Sequence, residues 1–151
     1  RMTGFGAGLG CPFLCSFCTI INVQGRKSRR RSADDVEQII RNNLAQGVNR
    51  FFITDDNFAR NIDWESIFDR LIAMREREKL NIKFIIQVDT MCHRLPHFIE
   101  KAGRAGVARV FIGRDSINPA SLLGDRQKQN KITEYSQVLM ALEHQAATIV
   151  P

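Results

Sequence analysis

Arg50-Phe51-Phe52-Ile53-Thr54-Asp55-Asp56-Asn57 is a short apolar run that stops abruptly at three polar residues. A run of this kind suits a strand buried in a parallel sheet, where both faces are covered. Two later segments have the same form. Lys83-Phe84-Ile85-Ile86-Gln87-Val88 ends at Asp89-Thr90, and Arg109-Val110-Phe111-Ile112-Gly113 ends at Asp115-Ser116. Between these runs the apolar spacing becomes helical. A helix is predicted to begin near Asp63 and to carry Ile67, Phe68, Leu71, Ile72 and Met74. Pro96 suits the first turn of another helix, running to Gly103 or Gly106.

Upstream, Ser32-Ala33-Asp34-Asp35 reads as a helix start. Ser32 can accept from orphan backbone N–H groups, and the two acids sit at the positive end of the dipole. Val36, Ile39, Ile40 and Leu44 continue the helical face, and Gly47 stops it. Residues 3–10 predict a short strand entering a loop. Downstream, residues 133–145 predict a fourth helix with Tyr135, Val138, Leu139 and Leu142 on its apolar face, and Thr148-Ile149-Val150 starts a fifth strand. Alternation of strand and helix implies parallel strands with helical crossovers, in a barrel or an open sheet. In either case functional residues gather at the carboxyl ends of the strands. Asp55, Asp56, Asn57, Asp89, Asp115 and Ser116 then share one rim. The bland reading is that such residues merely start turns and cap helices. Three strand ends in succession favour a site.

Composition bounds the rest. The chain has 151 residues, 44% hydrophobic and 25% charged, as expected for one globular domain. No apolar run approaches the length of a membrane span, and no signal peptide opens the sequence, which predicts a cytoplasmic location. The first residue is Arg1, so an excised piece of a longer protein is expected. Net charge is +6. Five basic groups fall within residues 26–31, and the remainder is nearly balanced. This speaks against a protein that coats nucleic acid, and the basic residues are not interleaved with aromatics. The run reads as a solvated loop before a helix, or as a grip for an anion or a neighbouring domain.

Cys11-Pro12-Phe13-Leu14-Cys15-Ser16-Phe17-Cys18 places three of four cysteines within eight residues. Without a secretion signal a disulfide framework is not expected. Tetrahedral zinc usually takes four ligands, and only three cluster here; Cys92-His93 could add to them only through the fold. Iron–sulfur clusters are also commonly held by four thiolates. Three thiolates on a four-iron cubane leave one iron open to a substrate. His93, His97 and His144 show no ligand spacing, and Cys92 reads as a small buried hydrophobe.

CxxxCxxC with Phe17 before the last cysteine, placed after a first strand, resembles the signature of the radical S-adenosylmethionine (SAM) superfamily. Residues 19–32, Thr54-Asp55-Asp56-Asn57-Phe58 and Phe111-Ile112-Gly113-Arg114-Asp115-Ser116-Ile117-Asn118-Pro119 resemble the subgroup whose full-length members carry an N-terminal cobalamin-binding domain. The resemblance implies a partial (βα)6 barrel, of which residues 1–151 supply about four units and the start of a fifth strand. The cobalamin domain would precede Arg1 and the closing strands would follow Pro151. It implies Cys11, Cys15 and Cys18 as catalytic residues and as ligands of a [4Fe-4S] cluster whose open iron chelates SAM. Reductive cleavage of SAM would follow, for methyl transfer or a related carbon-centred radical reaction, with cobalamin supplied through the missing domain. Phe17 would pack near the adenine or the cluster.

The same resemblance implies that Asp55, Asp56 and Asn57 replace a Gly-Gly-Glu turn that receives the methionine amino group, with Asp56 the better acceptor. Asp89 would bind the ribose hydroxyls or that amino group, or else cap the helix after it. Gly113, Asp115 and Ser116 are the corresponding cofactor-binding residues at the fourth strand end. There similar sequences read Gly-apolar-Glu-Ser, and Arg114-Asp115 departs from them. Arg114 either snorkels to the rim or marks an altered site. The implied partners are a small-molecule substrate and a reductant such as flavodoxin or ferredoxin. Open barrel edges predict self-association. Two alternatives stand beside this reading: an inactive domain with a zinc-bound or empty cysteine loop, and a radical SAM methylthiotransferase.

Overall fold

The computed structural model describes residues 1–9, 29–112, 140–141 and 148–150. Five parallel strands form one sheet: β1 (Met2–Phe5), β4 (Arg50–Ile53), β5 (Lys83–Val88), β6 (Val107–Ile112) and β7 (Thr148–Val150). Their spatial order follows their chain order. Each crossover therefore adds its strand on the same side as the last. That is the progression of a barrel, whereas a doubly wound sheet reverses direction partway. A second, two-stranded antiparallel sheet pairs β2 (Gly8–Leu9) with β3 (Arg29–Arg30).

Three α-helices are described: α1 (Ala33–Leu44), α2 (Trp64–Glu76) and α3 (Phe98–Ala105). α1 starts where the sequence predicts. The Ser32 hydroxyl accepts from Asp35 N, and the Asp35 carboxylate accepts from Ser32 N, which closes a capping box. Gly47 follows its end at φ +78°. α2 begins one residue after Asp63. α3 begins at Phe98, two residues beyond Pro96. His97 takes the left-handed region just before it, at φ 62°, so the chain turns there before the helix starts. Two short 3₁₀ turns, Phe58–Arg60 and Thr90–Arg94, follow β4 and β5. The predicted fourth helix falls almost wholly outside the described residues; Met140 and Ala141 are helical.

Alternation along the strands separates two faces of the sheet. Phe51, Ile53, Phe84, Ile86, Val88, Val110 and Ile112 are buried in the core with Ile67, Phe68, Leu71 and Met74 of α2 and Phe98 of α3. Phe51 stacks on Phe84 across the β4–β5 pair at 5.6 Å. Phe68 gathers Phe58, Trp64 and Phe98 at 5.1, 5.9 and 5.4 Å. This aromatic cluster packs the turn after β4 against α2 and α3, and each pair adds to simple area burial. The alternate residues Phe52, Ile85, Gln87 and Phe111 are half-buried on the opposite face, where Phe52 and Phe111 approach to 6.0 Å. That face is the one a closing barrel turns inward.

Cys92 is fully buried, and it is the one described cysteine. Burial, reinforced by the charge of Asp89, pushes its thiol up to about 12. Thiolate is the reactive form, so Cys92 is inert in the folded chain. At pH 8 we expect iodoacetamide to modify Cys92 at least about a hundredfold more slowly in the native protein than in urea. Peptide mapping by mass spectrometry checks this, and equal labelling in both conditions would refute it.

Candidate functional site at the strand ends

Beyond β4 the chain enters the polar sequence Thr54-Asp55-Asp56-Asn57 and turns at Phe58–Arg60. A small cleft opens there, lined by Gly8, Leu9, Asp55, Asp56, Asn57, Arg60 and Asn61. It lies at the carboxyl ends of β1 and β4, where the sequence predicts the site.

Asp55 is 4% exposed and fully engaged. Its Oδ1 accepts from Ala7 N at 2.6 Å and Gly8 N at 2.8 Å, and its Oδ2 accepts from Asn61 Nδ2 at 3.1 Å. Burial raises its carboxyl above the usual carboxylate range, and these three donors oppose the shift. Asn61 is held in turn, because its Oδ1 accepts from Asp63 N at 3.0 Å.

Asp89 ends β5 and is also 4% exposed. It forms a bidentate pair with Arg60, at 2.7 Å from Nε and 2.8 Å from Nη2. Asn57 Nδ2 donates to the same carboxylate at 2.9 Å, and Asn57 Oδ1 accepts from Asp89 N at 3.3 Å. Met91 N donates to Asp89 Oδ1, so the carboxylate also caps the turn that follows. The capping role anticipated for Asp89 is thus realised together with an ion pair. Asp55 and Asp89 are both structural hubs, whereas Asp56 is half-buried on the cleft wall.

The other predicted site residues, Cys11, Cys15, Cys18, Phe17, Gly113, Asp115 and Ser116, lie outside the described residues, as do Arg114 and His144. The stem of the cysteine segment is described on both sides. β2 precedes it and β3 follows it, with Gly8 opposite Arg30 and Leu9 opposite Arg29. Arg31 N donates to Ala7 O at 2.8 Å, and Arg31 Nε donates to Gly6 O at 2.9 Å. The described residues on either side of it, β2 and β3, therefore lie together beside the cleft. Arg30 makes a 3.3 Å ion pair with Asp63. Part of the basic run thus serves as a strand and a brace. Arg60 and Asn61 carry no expectation from the sequence, and Arg31, expected in a solvated loop or a grip for an anion or neighbouring domain, instead binds the backbone of Gly6 and Ala7. The nearest sequence signal for Arg60 and Asn61 is the polar character of residues 60–61 after the turn.

Among the described residues no three His, Cys, Asp or Glu side chains converge as a metal site. His93 Nδ1 lies 2.9 Å from Thr90 O, and no described helix is long and apolar enough to cross a membrane.

Residues 7–146 match the Radical SAM superfamily profile. The chain belongs to the radical SAM superfamily. It is 30% identical over 136 residues to the bacteriochlorophyllide d C-12(1)-methyltransferase of Chlorobaculum tepidum, covering 88% of this chain and 29% of that protein. The fold matches the radical SAM methyltransferase TsrM of Kitasatospora setae, solved with tryptophan and a SAM analogue, at a TM-score of 0.85 and 18% identity. That match covers 98% of this chain and 29% of TsrM. The cobalamin-dependent radical enzyme OxsB, solved with aqua-cobalamin and SAM, matches at 0.73 and 16% identity over 97% of this chain and 22% of OxsB. The architecture is accordingly the α/β partial barrel of this superfamily. The chain spans less than a third of the length of each of these relatives.

Proposed function

We propose that this chain is the SAM-cleaving part of a cobalamin-type radical SAM methyltransferase. The observation that carries the proposal is the position of the cysteine stem. β2 and β3, which flank CxxxCxxC in the sequence, pair with each other beside a cleft lined by Asp56 and Asn57 at the carboxyl ends of β1 and β4.

The donor set suits the implied cofactor. Three thiolates match three corners of a [4Fe-4S] cubane and fall one short of a closed zinc site. Cys11, Cys15 and Cys18 would hold the cluster, which when bound supplies the electron for reductive cleavage of SAM. Phe17 would pack beside the cluster or the adenine. Asp56 would receive the methionine ammonium through charge-assisted hydrogen bonds. Asp55 and Asp89 would serve that site by holding its frame, because their oxygens are already engaged. Asn57 is fixed by Asp89 and lines the cleft. Gly113, Asp115 and Ser116 would complete the cofactor contacts from the fourth strand end. A reductant such as flavodoxin or ferredoxin would deliver the electron, and a small molecule would accept the methyl group.

Equilibrium dialysis of SAM against the anaerobically iron-loaded chain tests this reading. The wild type should bind SAM. Asp56→Ala should weaken binding by about tenfold or more, as loss of a charged hydrogen bond would. An iron-loaded wild type that does not bind SAM would refute it.

A further inference from the structure

The tripeptide Gly6-Ala7-Gly8 is gripped from both sides. Asp55 accepts from the amides of Ala7 and Gly8, and Arg31 donates to the carbonyl of Gly6 through Nε and to that of Ala7 through its backbone. The first grip comes from the end of β4 and the second from the residue after β3. Both act within five residues of Cys11. Thr54 N also donates to Phe5 O, so β1 is tied to the same turn up to its last residue.

We propose that Asp55 and Arg31 form a clamp that positions the stem of the cysteine segment, making Asp55 a positioning residue and not a SAM ligand. This deepens the proposed function and rests on it for the role of the cysteines. Three observations converge. Asp55 is almost completely buried, so it is held at the turn and shielded from cleft solvent. One oxygen bridges two successive backbone amides, which fixes the direction in which the chain leaves Gly8. Asn61 occupies the second oxygen, which fixes the carboxylate plane. A carboxylate so engaged has little capacity left for a ligand ammonium, and losing it would leave the buried amide of Ala7 and the half-buried amide of Gly8 without their acceptor.

The experiment compares wild type, Asp55→Asn and Arg31→Lys in the full chain. Asp55→Asn keeps the size but removes the charge that strengthens both amide bonds. In the iron-free protein, hydrogen exchange at the amides of Ala7 and Gly8 should accelerate about tenfold, while the amides of β5 keep wild-type rates. After iron loading, both variants should lose iron to a chelator faster than wild type. The electron paramagnetic resonance change on adding SAM should be broadened or lost in Asp55→Asn. Arg31 is exposed at the surface, so Arg31→Lys provides the same readouts if Asp55→Asn does not fold.

Unchanged exchange at Ala7 and Gly8 would overturn the clamp. Equal acceleration throughout β5 would overturn a positioning role, because it would report a general loss of stability. A loosened stem with wild-type iron retention and spectra would overturn the link to the cysteines. A wild type that takes up no iron would instead defeat the functional reading, and amide exchange would still decide the clamp.

Discussion

Gly106→Ala should lower the unfolding free energy by about 3–4 kcal/mol and the melting temperature by about 10 °C. Gly106 ends α3 at φ +96°, where an L side chain costs about 1–2 kcal/mol by itself. Space adds a second penalty. A Cβ there would sit 2.6 Å from Ile82 O and 2.8 Å from Arg75 Nε. The carbonyl cannot retreat easily. Ile82 is fully buried just before β5, and Phe84 N donates to Gly106 O at 2.9 Å. Arg75 cannot retreat without cost either, because its Nη1 donates to Arg104 O at 2.5 Å and covers the carbonyl end of α3. Urea denaturation followed by circular dichroism measures the loss. A change below about 1 kcal/mol would mean that the α3–β6 turn adapts, contrary to this packing.

Asp89→Ala should cost about 3 kcal/mol, from a different cause. Asp89 accepts from Arg60 twice, from Asn57 and from Met91 N. Removal leaves the Arg60 guanidinium without its carboxylate at a position only 21% exposed. It also releases Asn57, which lines the cleft, so under the proposed function SAM affinity should fall along with stability. Asp89→Asn should recover part of the loss, since one carbonyl oxygen still accepts, while its amide opposes the Arg60 and Asn57 donors. The comparison separates charge from shape. Equal stability of wild type and Asp89→Ala would mean that Arg60 escapes to solvent and that the network does not hold the strand ends together.

The strands were legible because their signal is local. Phe51-Phe52-Ile53 and Phe84-Ile85-Ile86 need no knowledge of distant partners to read as buried runs. Ser32 with Asp35 marked the start of α1 through chemistry contained in four residues. The α3 boundary was harder. Pro96 permits a helix start, but the left-handed turn at His97 delays it to Phe98, and no periodic pattern encodes that turn. The 3₁₀ turn at Thr90–Arg94 escaped for the same reason.

At the site, the sequence showed which polar residues end the strands but not how they are employed. Asp55 and Ala7 are 48 positions apart, and Asp89 and Arg60 are 29 apart. Such bonds exist only once the parallel register brings the strand ends together, so spacing along the chain cannot report them. The basic run is compatible in sequence with a solvated loop or with a grip for an anion or a neighbouring domain. Its last residues instead form β3 and grip Gly6 and Ala7, because the pairing of β3 with β2 sets Arg31 beside β1. The superfamily itself was legible from eight residues, because the CxxxCxxC spacing of Cys11, Cys15 and Cys18 resembles its signature.

The most direct test of the account is iron and sulfide analysis of the anaerobically reconstituted chain, with electron paramagnetic resonance of the reduced protein before and after SAM. The account predicts about four irons and four sulfides per chain, a spectrum that changes when SAM is added, and loss of both in Cys11→Ala, Cys15→Ala or Cys18→Ala. Stoichiometric zinc, or an iron centre that survives removal of any one of those cysteines, would contradict it.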